Sequence, residues 1–206
     1  MYATLARAQG LRDRASARER TWLDLYAAVV EGDGPLIVQY AREMLEREPE
    51  HRFVRYLLGK GYYEQEDWNR AIQEWEPLRA EGWTWIWTYL YSSRAWSHLG
   101  RFDEARVALD GLEGIIVPTD TYARVRLHRY RGLIWLDERD VEAAQTEFDR
   151  AQSIGSGYSE YEYDAARAMI LSGRLAEARA LLRGYISDPE EKGYVSEATT
   201  LLEGLE

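Results

Sequence analysis

The chain has 206 residues, 46% hydrophobic and 30% charged, so it can bury a substantial core and is not a disordered polymer. Its formal net charge of −10 argues against a general binder of nucleic acid or anionic membranes, because phosphate affinity rests on clustered Lys and Arg. It has no cysteine, which excludes disulfides, thiolate metal sites and cysteine nucleophiles and fits a reducing cytoplasm.

The N-terminal sequence MYATLARAQGLRDRASARER lacks the apolar core of a signal peptide. No run approaches the ~20 apolar residues of a membrane span, so the expected location is the cytoplasm. Residues 1–15 read as an extra helix, and Ser16-Ala-Arg-Glu19 is a capping-box pattern that opens the next one. Leu25, Ala28 and Gly32, then Gly34, Ile37, Ala41 and Met44, form a first pair of helical blocks, the second starting at Pro35 and ending near Pro49. A second pair follows, with Val54, Leu57, Leu58, Gly61 and Tyr62 in one block and Trp68, Ala71, Ile72, Trp75 and Leu78 in the other. Glu66-Asp67 separates them. Asp67 is placed to cap the second helix, and Pro77 is expected to end or bend it.

The next segment repeats the layout. Ser93 stands where Gly59 stood and Trp96 where Tyr62 stood; Leu99-Gly100 makes the turn, followed by Phe102, Ala105, Leu109 and Leu112. Alternating tryptophans in GWTWIWTYLY (82–91) suit a strand, but the repeat phase favours a loop that enters a helix. Five extra residues around Ile115–Tyr122, with Pro118, lengthen a loop or the following helix. A fourth unit has Gly132, Trp135, Val141, Ala144, Phe148 and Ala151, with Arg139 in place of a turn glycine. The fifth, opened by a capping-box pattern at Ser159-x-x-Glu162, has Ala166, Met169, Gly173, Leu175, Ala178, Leu182 and Tyr185. After Asp188-Pro189 comes a last amphipathic helix, whose Tyr194, Val195, Ala198, Leu201 and Leu202 are suited to cover the open end of a stack.

Equivalent anchors, Ile37, Ala71, Ala105, Ala144 and Ala178, lie 34, 34, 39 and 34 residues apart. A period near 34 means that one helix–turn–helix unit is repeated, and stacked units share a continuous core and leave a long binding surface. The pattern resembles the tetratricopeptide repeat (TPR) family: Leu58, Gly59, Tyr62, Trp68, Ala71 and Trp75 match its motif, as do Trp96, Gly100, Phe102 and Ala105. The resemblance covers about residues 18–192. It implies an all-α, right-handed α-solenoid of about five TPR-like helix pairs in one domain over 1–206, with 1–17 as an N-terminal helix and 193–206 as a C-terminal cap. Nearly all the basic residues are Arg, with only Lys60 and Lys192 as Lys, a hint of a GC-rich bacterial genome.

The chain carries neither GxxxxGK[ST] nor GxGxxG nor HExxH. His51, His98 and His128 are dispersed, and pairs such as Glu64/Glu66 or Glu190/Glu191 read as solvated faces. No catalytic residue, metal site or cofactor is expected, and the chain does not read as an enzyme. Tyr62, Trp68, Trp75, Tyr89, Trp96, Phe102, Trp135 and Phe148 fall at repeat core positions, while Trp22, Phe53, Tyr56, Tyr63, Trp83, Trp85, Trp87 and Tyr163 are surplus. The resemblance puts Trp22, Phe53, Tyr56, Tyr63, Trp87 and Tyr163 on the first-helix face that lines a concave groove. Arg94, His98, Arg126, Arg129 and Arg167 share that face in the third to fifth units, flanked by Arg124 and Arg131. Internal packing, and pairing with Asp137, Glu160 or Glu162, account for the same residues without a ligand.

Candidate partner-binding residues are therefore Phe53, Tyr56, Tyr63, Trp87, Arg94, His98, Arg126, Arg129, Tyr163 and Arg167. Aromatics dominate binding hot spots, and Arg forks suit carboxylates. The expected partner is a protein or peptide, acidic or ending in a free C-terminus, with no role for nucleic acid or membrane. Trp22 and Tyr26 stand where the resemblance would place the Lys and Asn of a chaperone-tail clamp, so that partner is not expected. The expected function is a protein–protein interaction scaffold. The alternative is a self-associating regulatory or assembly module of a larger bacterial system, with the aromatic patch as a homodimer interface.

Overall fold

The computed structural model describes residues 10, 12–155, 158–188 and 193–205. Among these the secondary structure is helical throughout, with no strand. Contacts divide the chain into two units, one to Gly100 and one from Arg101. The first holds α1 (Ala17–Glu31), α2 (Gly34–Arg47), α3 (Arg52–Glu64), α4 (Trp68–Ala80) and α5 (Ile86–His98). The second holds α6 (Phe102–Glu113), α7 (Thr121–Asp137), α8 (Val141–Ile154), α9 (Tyr161–Leu171), α10 (Leu175–Ser187) and α11 (Val195–Glu203). Within each unit every helix packs against its neighbours in chain order, as the repeat pattern predicts.

Local chemistry sets the helix starts. Ser16 and Glu19 form the capping box reciprocally before α1. Asp33, Asp67, Asp120 and Asp140 each accept from the backbone N–H three residues on, at the starts of α2, α4, α7 and α8. Each such cap contributes about 1 kcal/mol. The second expected capping box does not form: α9 begins after Glu160, and the Ser159 hydroxyl donates to the Glu160 carboxylate instead. Pro77 does not end its helix either, since α4 runs on to Ala80. A proline this late removes one backbone donor, and the Pro77 carbonyl still accepts from Glu81 N–H.

The turns between paired helices need a left-handed residue. Gly32, Gly100 and Gly173 supply it with φ near +70°. In the other two pairs Glu66 (φ 58°) and Arg139 (φ 65°) adopt the same conformation despite their side chains. The extra residues after α6 lengthen both the connection and the helix: α7 has 17 residues, against 13 in α3 and α5. Residues 83–85 are a loop and the helix begins at Ile86, so the tryptophan alternation is not a strand.

All five repeat anchors are fully buried. Two glycines explain how closely paired helices approach. A Cβ on Gly59 meets the indole of Trp75 at 2.3 Å, and one on Gly132 meets the ring of Phe148 at 2.3 Å. In the first unit Trp75 is fully buried and donates its indole N–H to the Tyr56 carbonyl at 3.0 Å. The expected helix over 1–15 lies largely outside the described residues. Its described part is a 3₁₀ turn, Arg12–Arg14, held by an ion pair from Arg12 to Asp24. Pro189, Glu190 and Glu191 are also outside them. The expected terminal helix is present as α11, which packs on α10 and buries Ala198.

Candidate functional site

In the first unit the surplus aromatics are gathered by helical spacing. α3 presents Phe53, Tyr56, Lys60 and Tyr63 at steps of three and four, and α5 presents Trp87, Tyr91, Arg94 and His98 likewise. The stripes meet where Tyr63 contacts Tyr91 at 5.1 Å between ring centroids. Trp87 extends the wall from Tyr91 at 5.6 Å, and Tyr63 packs edge-on against Trp68 at 4.8 Å. His98, exposed at the end of α5, stacks on Trp68 at 4.4 Å. Trp75 lies 6.0 Å from both Tyr63 and Tyr91 and couples the wall to the core. Lys60 sits 5.2 Å from the Tyr91 ring centre and is ion-paired with Glu64.

Phe53 lies edge-on to Trp85 at 5.8 Å, and Trp85 is 41% exposed. Tyr56, by contrast, is buried, and burial pushes its hydroxyl well above the usual phenol range. Each ring pair adds about 0.5–1.5 kcal/mol beyond its buried area, so the rings of the wall hold one another in place.

In the second unit the arginines of α7 meet carboxylates from other helices. Arg126 pairs with Glu160 at 2.7 Å. Arg129 bonds Asp164 at 2.7 Å and Glu160 at 3.1 Å, with its side chain only 5% exposed. Asp164, wholly buried, also accepts from the Tyr158 hydroxyl at 2.8 Å, and Arg167 lies 3.7 Å from its other oxygen. Burial by itself raises the Glu160 carboxyl, but the Arg129 charge and the Arg126 hydrogen bond outweigh it and hold it below the ordinary carboxylate range. Arg131 pairs with Asp110 and Glu113, and His128 with Glu147. Tyr163 is buried under Tyr194, ring on ring at 5.2 Å.

No protein-family model matches the chain, and no curated protein matches it. Several solved structures are similar in fold, two of them as follows. TTC0263, a thermophilic TPR protein of Thermus thermophilus, gives a TM-score of 0.73 at 17% identity over 88% of this chain and 94% of that one. The apo form of the quorum sensor NprR from B. thuringiensis gives 0.71 at 14% identity over 98% of this chain and 62% of that one. The chain has the TPR fold.

In TPR terms α3, α5, α7 and α9 are first helices of their pairs, and all ten candidate residues lie on them. The structure brings Phe53, Tyr56, Tyr63, Trp87 and His98 into one aromatic network, with Arg94 half-buried on the same stripe. It gathers Arg126, Arg129, Tyr163 and Arg167 around Glu160 and Asp164 in the other unit. Pairing with Glu160, one of the carboxylates weighed from the sequence, engages Arg126 and Arg129 internally.

Sequence reasoning missed Tyr91 and assigned Trp68 to the core alone. The first was readable four residues after Trp87 on one helical stripe. The second shows only in the structure, where Trp68 is half-buried beneath His98. Among the described residues no helix is long and apolar enough to cross a membrane, and no group of three His, Asp or Glu is arranged to hold a metal ion.

Proposed function

We propose that this chain is a protein–protein interaction scaffold whose aromatic wall on α3 and α5 receives an extended or helical partner segment. The observation that supports the reading is the ring network Trp87–Tyr91–Tyr63–Trp68–His98, most of it half-buried and locked by edge and stacking contacts. Rigid aromatics offer large contact area at little entropic cost. Arg94, half-buried on the α5 stripe, would favour an acidic partner. The net charge of −10 weighs against nucleic acid and membrane surfaces, and the composition fits a cytoplasmic protein.

The test is a tagged pull-down from the native lysate, followed by titration of the purified captured protein against wild type and Trp87→Ala. The variant should keep its helical circular dichroism and lose at least tenfold in affinity. Unchanged affinity sinks the assignment of the wall.

A second reading has its own support. The likeness to a quorum sensor, of which this chain spans 62%, supports reading it as a regulatory or assembly module of a larger bacterial system, and the exposed rings of Trp85 and Tyr26 support self-association as its mode of action. Light scattering separates the two: a scaffold for other proteins stays monomeric, whereas a self-associating module dimerises and Trp85→Ala makes it monomeric.

A further inference from the structure

Tyr194 opens α11 with φ of +62°, a conformation that L side chains rarely adopt. Its ring lies parallel to that of Tyr163, at 5.2 Å and 7°, and the Arg129 guanidinium sits 5.2 Å from its centre. Arg167 sits 5.7 Å from the Tyr163 ring. The ring is nevertheless 42% exposed, and the nine-residue helix behind it fully buries only Ala198 among the described residues, with Leu201 and Leu202 packed half-buried on the same cluster and the Tyr185 hydroxyl donating to the Gly193 carbonyl just ahead of it. Beneath the stack, Asp164 Oδ1 is buried without a hydrogen-bond donor. Three arginines, Arg126, Arg129 and Arg167, converge there on two carboxylates, Glu160 and Asp164, with Glu197 of α11 also within electrostatic reach of Tyr163, so the cluster gains an excess of positive charge only when α11 and its Glu197 move away.

We propose that Tyr163, Arg129 and Arg167 form a slot for an aromatic side chain flanked by carboxylates on a partner segment, and that Tyr194 fills this slot when no partner is bound. The proposal rests on the scaffold reading only in taking the partner to be a protein segment. A flat slot between a tyrosine face and a guanidinium accepts any aromatic ring, and the surplus arginine charge selects acidic neighbours. Tyr194 is tethered and so competes as an internal ligand, but its strained backbone and short helix make it displaceable.

The experiment uses the purified full chain and two blocked tripeptides, acetyl-Glu-Tyr-Glu-amide and acetyl-Glu-Ala-Glu-amide, titrated by calorimetry. Tyr194→Ala removes the competitor and should bind the tyrosine peptide about tenfold more tightly than wild type, equal to about 1.4 kcal/mol. Tyr194→Phe should behave as wild type, Tyr163→Ala should lose binding, and the alanine peptide should bind none of them. In wild type, hydrogen exchange within α11 should accelerate when the tyrosine peptide is added, because the helix loses its stacked residue.

Equal affinity for the alanine peptide would reduce the slot to plain charge attraction and overturn it. So would no gain in Tyr194→Ala with exchange protection kept through α7–α10. If Tyr194→Ala loses that protection, the wild-type exchange experiment decides, and unchanged α11 exchange at saturating peptide overturns the proposal. Trp87→Ala, in the other unit, should leave this titration unchanged, so the slot and the aromatic wall fail separately.

Discussion

Gly59→Ala isolates why the paired helices α3 and α4 lie as close as they do. A Cβ at this position stands 2.3 Å from Trp75 Nε1, 2.6 Å from Cε2 and 2.8 Å from Cδ1. The indole is fully buried and tied to the Tyr56 carbonyl through Nε1–H, so it cannot swing aside without breaking that bond. In a bare helix, Gly to Ala gains about 1 kcal/mol. Here overpacking costs about 1–3 kcal/mol, and an orphaned buried indole N–H costs about 1–3 kcal/mol more. The net expectation is a loss of about 3 kcal/mol. For a chain of this length that lowers Tm by about 6–12 °C.

Thermal melting followed at 222 nm checks the magnitude. Tryptophan emission should shift as well, because the displaced indole touches Tyr63 and Tyr91 of the aromatic wall. Gly184→Ala supplies the opposite sign. It sits inside α10, and a Cβ there meets nothing within 4 Å, so that variant should gain up to about 1 kcal/mol. A Gly59→Ala variant as stable as wild type, or one that moves in the same direction as Gly184→Ala, refutes the close-approach argument.

Two further predictions concern the second unit. Arg129→Met leaves Asp164 and part of Glu160 buried without their cation and should cost about 3–5 kcal/mol in urea unfolding, whether or not a partner is present. A loss confined to partner binding would contradict the buried-pair geometry. The carboxyls of Glu160 and Glu147 are both lower in the folded state than their ordinary value, because cation contacts outweigh burial. Their stabilisation is therefore complete above the ordinary glutamate range and disappears as pH falls through the folded values. The urea midpoint should drop with acid over that window, and Glu160→Gln should flatten part of the drop; an unchanged slope in the variant removes Glu160 from the acid response.

Much of this fold could be read directly from the residues. Ile37, Ala71, Ala105, Ala144 and Ala178 announced the period, and all five are fully buried, because a position facing the partner helix tolerates only a narrow range of sizes. The caps at Ser16 and Asp67 were equally legible, since capping depends on residues three apart. Ser159 misled because the same short pattern occurs one residue ahead of the actual helix start, where Glu160 is drawn toward Arg126 and Arg129. The wall of α3 and α5 followed from steps of three and four along each helix. That Trp68 would serve under His98 as well as in the core did not, because two helices must meet before one ring can do both.

The sequence by itself determined the helices, their turns and which face of each helix is rich in aromatic or arginine side chains, since these follow from spacing within a dozen residues, and it determined the repeat through its period near 34. Only the tertiary structure decided which of those side chains are engaged inside the molecule. Arg126 and Glu160 stand 34 residues apart, one repeat period, and Arg129 and Asp164 stand 35 apart. Stacking brings successive first helices side by side, so a carboxylate on one cancels a cation on the next. A buried charge cannot remain without such a partner, and that requirement is settled by packing, not by local pattern.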